Sequence, residues 1–127
     1  VWIDGIIVDA GDASVNALDH GVTLGDGFFE TIRVADAQPR FLDRHLDRLH
    51  RTSTRLGLTL GSTEAELRSA IDSLIRESGF TNARMRITAT SGPAPLGPVR
   101  GGTAANLMSA IDAMTGFAPP AEVEPVE

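Results

Sequence analysis

Apolar and polar residues along the chain follow two periods, and the order of those stretches predicts the fold. Trp2-Ile3 and Ile6-Ile7-Val8 flank Asp4-Gly5. Such a two-residue turn between apolar runs predicts an N-terminal β-hairpin. Residues 9 to 27 carry four Gly together with Asp and Ser and read as a loop. Phe28 to Val34 alternates as a strand. It places Phe29, Thr31 and Arg33 on one face and Phe28, Glu30, Ile32 and Val34 on the other. Asp36-Ala37 turns it into a short strand near Pro39 to Phe41. The period then becomes helical. A helix is predicted over 43–56, with Asp43 as N-cap, Gly57 as stop, and Leu42, Leu46, Leu49 and Leu56 as its apolar stripe. A second helix spans 63–78, opened by the capping box Thr63/Glu66 and ended by Gly79. Its core positions are Leu67, Ala70, Ile71, Leu74 and Ile75. Alternation returns over Arg84 to Ser91, with Arg84, Arg86, Thr88 and Thr90 opposite Met85, Ile87 and Ala89. The stretch Gly92 to Pro98 is a candidate binding loop, and Asn106 to Ile111 a last strand. Strands, two helices, then strands predict an α+β domain with an antiparallel sheet.

Composition narrows the chemistry. The 127 residues suit one domain, and 42% hydrophobic residues suffice for a core. No apolar run approaches the roughly 20 residues of a membrane span, and no signal peptide is visible, so a cytoplasmic location without membrane contact is expected. Cys is absent, which removes disulfides and thiolate chemistry. A net charge of -6 disfavours nucleic-acid binding. The 11 basic residues are all Arg, with no Lys among them. Arginine stays protonated and holds anions, but it cannot form a Schiff base.

Two groups of arginines are therefore the candidates. Arg44, Arg48, Arg51 and Arg55 recur at helical spacing along the first long helix. They form either a solvated face, with Asp43 and Asp47 supplying i,i+4 pairs, or a face turned to a cleft where one Arg holds a phosphate or carboxylate. Arg84 and Arg86 share one strand face, either solvated or paired with acids, or serving as a carboxylate platform. Spacing does not choose between these readings. His45 reads as a boundary residue beside the leucine stripe. His20, His45 and His50 lack the i,i+4 spacing of a helical metal pair, so no metal is expected. Gly25-Asp26-Gly27 lacks the third Gly of a dinucleotide fingerprint. No serine has an identifiable base.

The order of motifs goes further. Leu18-Asp19-His20-Gly21, Gly25-Asp26-Gly27 and Phe29-Glu30-Thr31-Ile32-Arg33 are followed by Pro39, Phe41-Leu42, His45-Leu46 and Arg48-Leu49, then by Arg84 to Gly92. This succession resembles the N-terminal part of class IV (fold-type IV) pyridoxal-phosphate aminotransferases, over residues 1 to about 103. The resemblance implies a small N-terminal domain over residues 1–117 and the start of an interdomain linker over 118–127. It also implies a larger C-terminal domain, absent from this chain, that carries the catalytic Lys and a cleft for pyridoxal 5'-phosphate. A Lys within about 20 to 40 further residues would fit that layout.

By the same resemblance Arg48 is the cofactor-phosphate ligand. Phe29 stands at an active-site aromatic position, often Tyr, without the hydroxyl. Arg86 is a substrate-binding residue, with Arg84 beside it. Ser91 stands where D-amino-acid aminotransferases carry a carboxylate-trapping Arg, a departure from that branch. The wording is most similar to the 4-amino-4-deoxychorismate lyase members, which eliminate pyruvate to give the folate precursor 4-aminobenzoate. The alternatives are a branched-chain or D-amino-acid aminotransferase, or a non-catalytic binding domain that kept the fold. A homodimer acting on a small amino-acid-like substrate is implied, with no catalytic residue on this Lys-free chain itself.

Overall fold

The computed structural model describes residues 1–97, 99–101 and 106–113, the last stretch through its backbone pairing. The expected linker, 118–127, lies outside the described residues. Among the described residues, six strands form one antiparallel sheet: β1 (Trp2–Ile3), β2 (Ile6–Ile7), β3 (Gly27–Ala35), β4 (Gln38–Pro39), β5 (Ala83–Thr90) and β6 (Asn106–Ala113), in the order β2-β1-β6-β5-β3-β4. The same residues form three α-helices: a short α1 (His20–Thr23), then α2 (Leu42–Leu56) and α3 (Glu64–Ser78). The two long helices connect β4 to β5 and supply the core with Leu46, Leu49, Leu67, Ile71, Leu74 and Ile75. The inward side chains of β3 and β5, Ile32, Val34, Met85 and Ile87, complete it. The alternation expected for both strands holds: Phe29, Thr31, Arg33, Arg84 and Arg86 are exposed on the opposite side of the sheet.

Local chemistry explains most element ends. Asp4 and Gly5 both take positive φ, as the N-terminal hairpin turn requires, and so do Asp36 and Ala37 between β3 and β4. Both bonds of the Thr63/Glu66 capping box form, and Gly57 and Gly79 close their helices in the left-handed conformation.

Four expectations are corrected. Asp43 is not the N-cap of α2. That position is Phe41, at φ 54 and ψ 36, and no side chain caps the first turn. Asp43 instead receives a hydrogen bond from Arg68 of α3 at 2.5 Å, so its charge ties two helices together rather than making an i,i+4 pair. The strand expected over residues 39–41 is Gln38–Pro39, because Phe41 leaves the extended region. The loop over residues 9–27 contains a 3-10 turn, Ala10–Asp12, and α1. Leu56 is exposed at the end of α2, and Ser53 is buried one turn before it.

Candidate active-site face

The most strongly constrained polar group is Glu30. It lies on the inward face of β3 between Phe28 and Ile32, and it is only 5% exposed. A carboxylate in that position needs partners, and α2 provides two. Arg48 donates from Nε to Oε1 at 2.6 Å and from Nη2 to Oε2 at 2.7 Å. His45 Nδ1 lies 2.8 Å from Oε2. Burial pushes the Glu30 pKa up, but the hydrogen bonds from Arg48 and His45 outweigh it and hold the carboxyl below its ordinary value. Glu30 is therefore an acceptor at neutral pH, which makes His45 Nδ1 the donor. The bonds to Glu30 in turn raise the pKa of Arg48.

Arg48 is thereby singled out from its stripe. Two of its five N–H bonds are fixed on Glu30, which orients the guanidinium plane and leaves three donors for an anion. Its side chain remains 59% exposed. Together with Phe41, Arg44, His45, Asp47 and Arg51 it lines an open cleft of about 370 Å³. Three guanidiniums line this one cleft, one of them held by a buried carboxylate, and such groups are good donors to an anion. His45, expected as a boundary residue, belongs to this constellation, and Arg55 lies outside the cleft lining.

The second group occupies the other side of the sheet. The Arg86 guanidinium carbon lies 3.8 Å from the centroid of the Phe29 ring, a close cation–π stack on a ring that is 55% exposed. Arg84 lies two residues away on the same face, opposite Arg33 in the β3–β5 register. Phe29 and Glu30 are adjacent on β3 and so point to opposite faces. The two groups can nevertheless border one ligand. β4 pairs with Val34 and Ala35, so among the described residues β3 is an edge strand at Phe29 and Glu30.

A third set of contacts pins the loop after β5. Asp19 is buried and accepts from Gly21 N–H at 2.7 Å and from Thr90 Oγ1 at 2.9 Å. His20, also buried, bonds through Nε2 to the Pro95 carbonyl at 2.9 Å, and its N–H donates to the Gly92 carbonyl. Asp26 accepts a bidentate pair from Arg100 at 2.7 and 2.9 Å, and Arg100 also reaches the Leu56 carbonyl. The Arg100 bonds, then Ser91, hold the Asp26 pKa at about 2. Gly27 is required by close approach: a Cβ there would stand 2.5 Å from the Ala89 carbonyl oxygen. Ser91 is buried at 4% exposure, and its Oγ has no hydrogen-bond partner among the described residues.

Comparisons with known proteins bear on the family and the fold. Residues 27–124 match the family described as Amino-transferase class IV. A putative branched-chain-amino-acid aminotransferase of Methanocaldococcus jannaschii is 33% identical over 97 residues, covering 76% of this chain and 34% of the relative. A D-alanine aminotransferase of Staphylococcus epidermidis is 36% identical over 95 residues, covering 75% and 34%. Among solved structures, the branched-chain aminotransferase of the thermophilic archaeon Thermoproteus uzoniensis with norvaline superposes at a TM-score of 0.80 with 28% identity, over 88% of this chain and 39% of that one. A putative 4-amino-4-deoxychorismate lyase of Legionella pneumophila superposes at 0.76 with 25% identity, over 84% and 40%. The chain spans about a third of the length of the curated relatives it matches. Among the described residues, no helix is long and apolar enough to cross a membrane, and no group of His, Asp or Glu is arranged to hold a metal.

Proposed function

Because the chain belongs to the class IV aminotransferase family, we propose that it is the small domain of a two-domain pyridoxal-phosphate enzyme acting on an amino-acid-like substrate, most closely a 4-amino-4-deoxychorismate lyase. The observation that carries this reading is Arg48, oriented by a buried Glu30 and open to a cleft on its remaining donors. Bound there, the cofactor supplies an electron sink for the substrate carbon that carries the amino group. The chain's own residues position it. Arg48 takes the phosphate with Arg44 and Arg51 beside it, and Glu30 keeps the guanidinium from turning away. Arg86, backed by the Phe29 ring, holds a substrate carboxylate, and Arg84 raises the positive potential of that face. The amine nucleophile and proton shuttle come from the second domain, since this chain contains no Lys.

The buried Ser91 supports the lyase branch over the D-amino-acid one, because no cation stands at that position to trap a carboxylate. The branched-chain transaminase is the second reading, favoured by the superposition on the Thermoproteus uzoniensis enzyme. Expression together with the downstream reading frame tests the choice. Release of pyruvate and 4-aminobenzoate from 4-amino-4-deoxychorismate is expected. Amino-group exchange between leucine and 2-oxoglutarate without pyruvate release would transfer the assignment to the transaminase. A downstream frame that encodes no second domain would leave a binding module that kept the fold.

A further inference from the structure

Arg40, Arg33 and Arg84 stand side by side across the open face of the sheet, and the reading above leaves Arg40 and Arg33 unused. Arg33 of β3 faces Arg84 of β5, and the Arg40 N–H donates to the Arg33 carbonyl at 2.8 Å. Arg40, Arg33 and Arg84 thus occupy successive positions of one cross-strand row, and Asp112 of β6 takes the next register position beyond Arg84. The row has a carboxylate residue at one end and two arginines at the other. Strands lie roughly 4.8 Å apart, and like charges directly opposite one another repel. Among the described residues, Arg33 has no acidic partner, and the contact of Arg40 with Asp36 is 3.9 Å long between side chains that are mostly exposed.

The space around this end of the row is shaped. Thr31, Arg33, Arg40, Phe41 and His45 line an open cleft of about 410 Å³. Phe41 and His45 also border the cleft of Arg48, so the two are neighbours around the edge of β3. α2 starts at this rim with no side chain capping its first turn, and its positive end, offset in part by Asp43, adds to the field of the two guanidiniums. Phe41, in the left-handed conformation and 69% exposed, stands as a wall between the two clefts. Arg33 lies two residues along β3 from Thr31, the register partner of Arg86. The rows of Arg86 and Arg33 are therefore separated by roughly 7 Å along the strands. Two guanidiniums at that separation on long side chains can bracket both ends of a small dicarboxylic acid.

We propose that Arg33 and Arg40 form a second anion subsite, which receives a substrate carboxylate remote from the one Arg86 holds and so selects substrates carrying two carboxylates. The subsite rests on the reading of this face as an active site. It also answers the charge pattern: a bound carboxylate supplies the counter-charge that Arg33 lacks among the described residues.

The experiment is calorimetric titration of the 127-residue chain with 2-oxoglutarate and, separately, with pyruvate, which has one carboxylate. The dicarboxylate is expected to bind about tenfold more tightly, as one additional charge-assisted contact implies. Arg33→Gln and Arg40→Gln should each remove most of that difference, and Arg55→Gln should leave it intact. All three side chains are exposed, so none of these changes disturbs the core. Equal affinities for the two acids, or a preference that survives both substitutions, would overturn the subsite. Inorganic phosphate binding as tightly as 2-oxoglutarate with the same arginine dependence would also overturn it, because the row would then be an unselective anion patch. Cofactor retention in the two-domain parent tests the underlying reading separately, through Arg48. Equal affinity of the unaltered chain for the two acids, with retention still dependent on Arg48, sinks the subsite alone.

Discussion

Glu30 carries two roles at once, and its electrostatics can be measured. Its pKa is lower in the folded chain than in the unfolded one, where the ordinary value is 4.5. The group therefore contributes stability above the unfolded pKa and loses that contribution as pH falls through the folded pKa. Asp26 behaves alike across the window from 3.8 down to about 2. Urea unfolding measured from pH 7 to pH 2 should thus show stability falling below about pH 4.5. Glu30→Gln should remove part of the slope and lower the stability at pH 7 by about 1–3 kcal/mol, the usual cost of disrupting a charged hydrogen bond at a buried group. A slope unchanged by Glu30→Gln would mean that Arg48 and His45 do not hold the carboxylate in solution. The alternation of β3 had already placed Glu30 on the apolar face, so a buried acid seeking a partner was visible in the sequence. Its partners were not, because Arg48 and His45 lie 18 and 15 residues away and meet it only after α2 packs on β3.

At the scale of elements, legibility followed the range of the forces involved. The capping box of α3, the glycine stops and the alternation of β3 and β5 are set within a few residues, and all were readable. The start of α2 was not. Asp43 has the chemistry of an N-cap but is held by Arg68 across the helix pair, while Phe41 takes the cap position without a capping side chain. The four-residue α1 was equally hidden, since Asp19 and His20 are fixed by contacts with β5 and its following loop rather than by helical periodicity. His20→Ala should therefore loosen the loop around Gly92 to Pro95 without unfolding the sheet. Amide hydrogen exchange should accelerate at Ala94, whose N–H bonds to the Leu18 carbonyl, and remain slow in β5. Equal acceleration in both would show that the loop and the sheet open together. Leu46→Ala, by contrast, removes a fully buried side chain between α2 and the sheet. It should cost about 2–5 kcal/mol of unfolding free energy.

The whole molecule has one covered and one open side. Helices α2 and α3 pack on the inward face, while Phe29, Arg33, Arg84 and Arg86 stand on a face that no described element covers. The exposed Phe29, with Leu24 and Val22 at the end of α1, makes concentration-dependent association of the isolated chain the expected result in sedimentation. A strict monomer at every concentration would count against a buried role for this face. The absence of Lys has its own consequence: borohydride treatment of the chain with pyridoxal phosphate should yield no reduced adduct at an internal residue by mass spectrometry. The candidate site was legible as two sets of arginines, one on α2 and one on the open face, but only the Glu30 contact separates Arg48 from the neighbours that share its spacing. The claim on which the account turns is that Arg48 holds the cofactor phosphate. It is tested most directly by the pyridoxal-phosphate affinity of the two-domain parent in three forms: unaltered, Arg48→Ala and Arg55→Ala. The account predicts a loss of about 1.5–3 kcal/mol for Arg48→Ala and almost none for Arg55→Ala. Equal retention in all three would contradict it and leave the arginine stripe a solvated helix face.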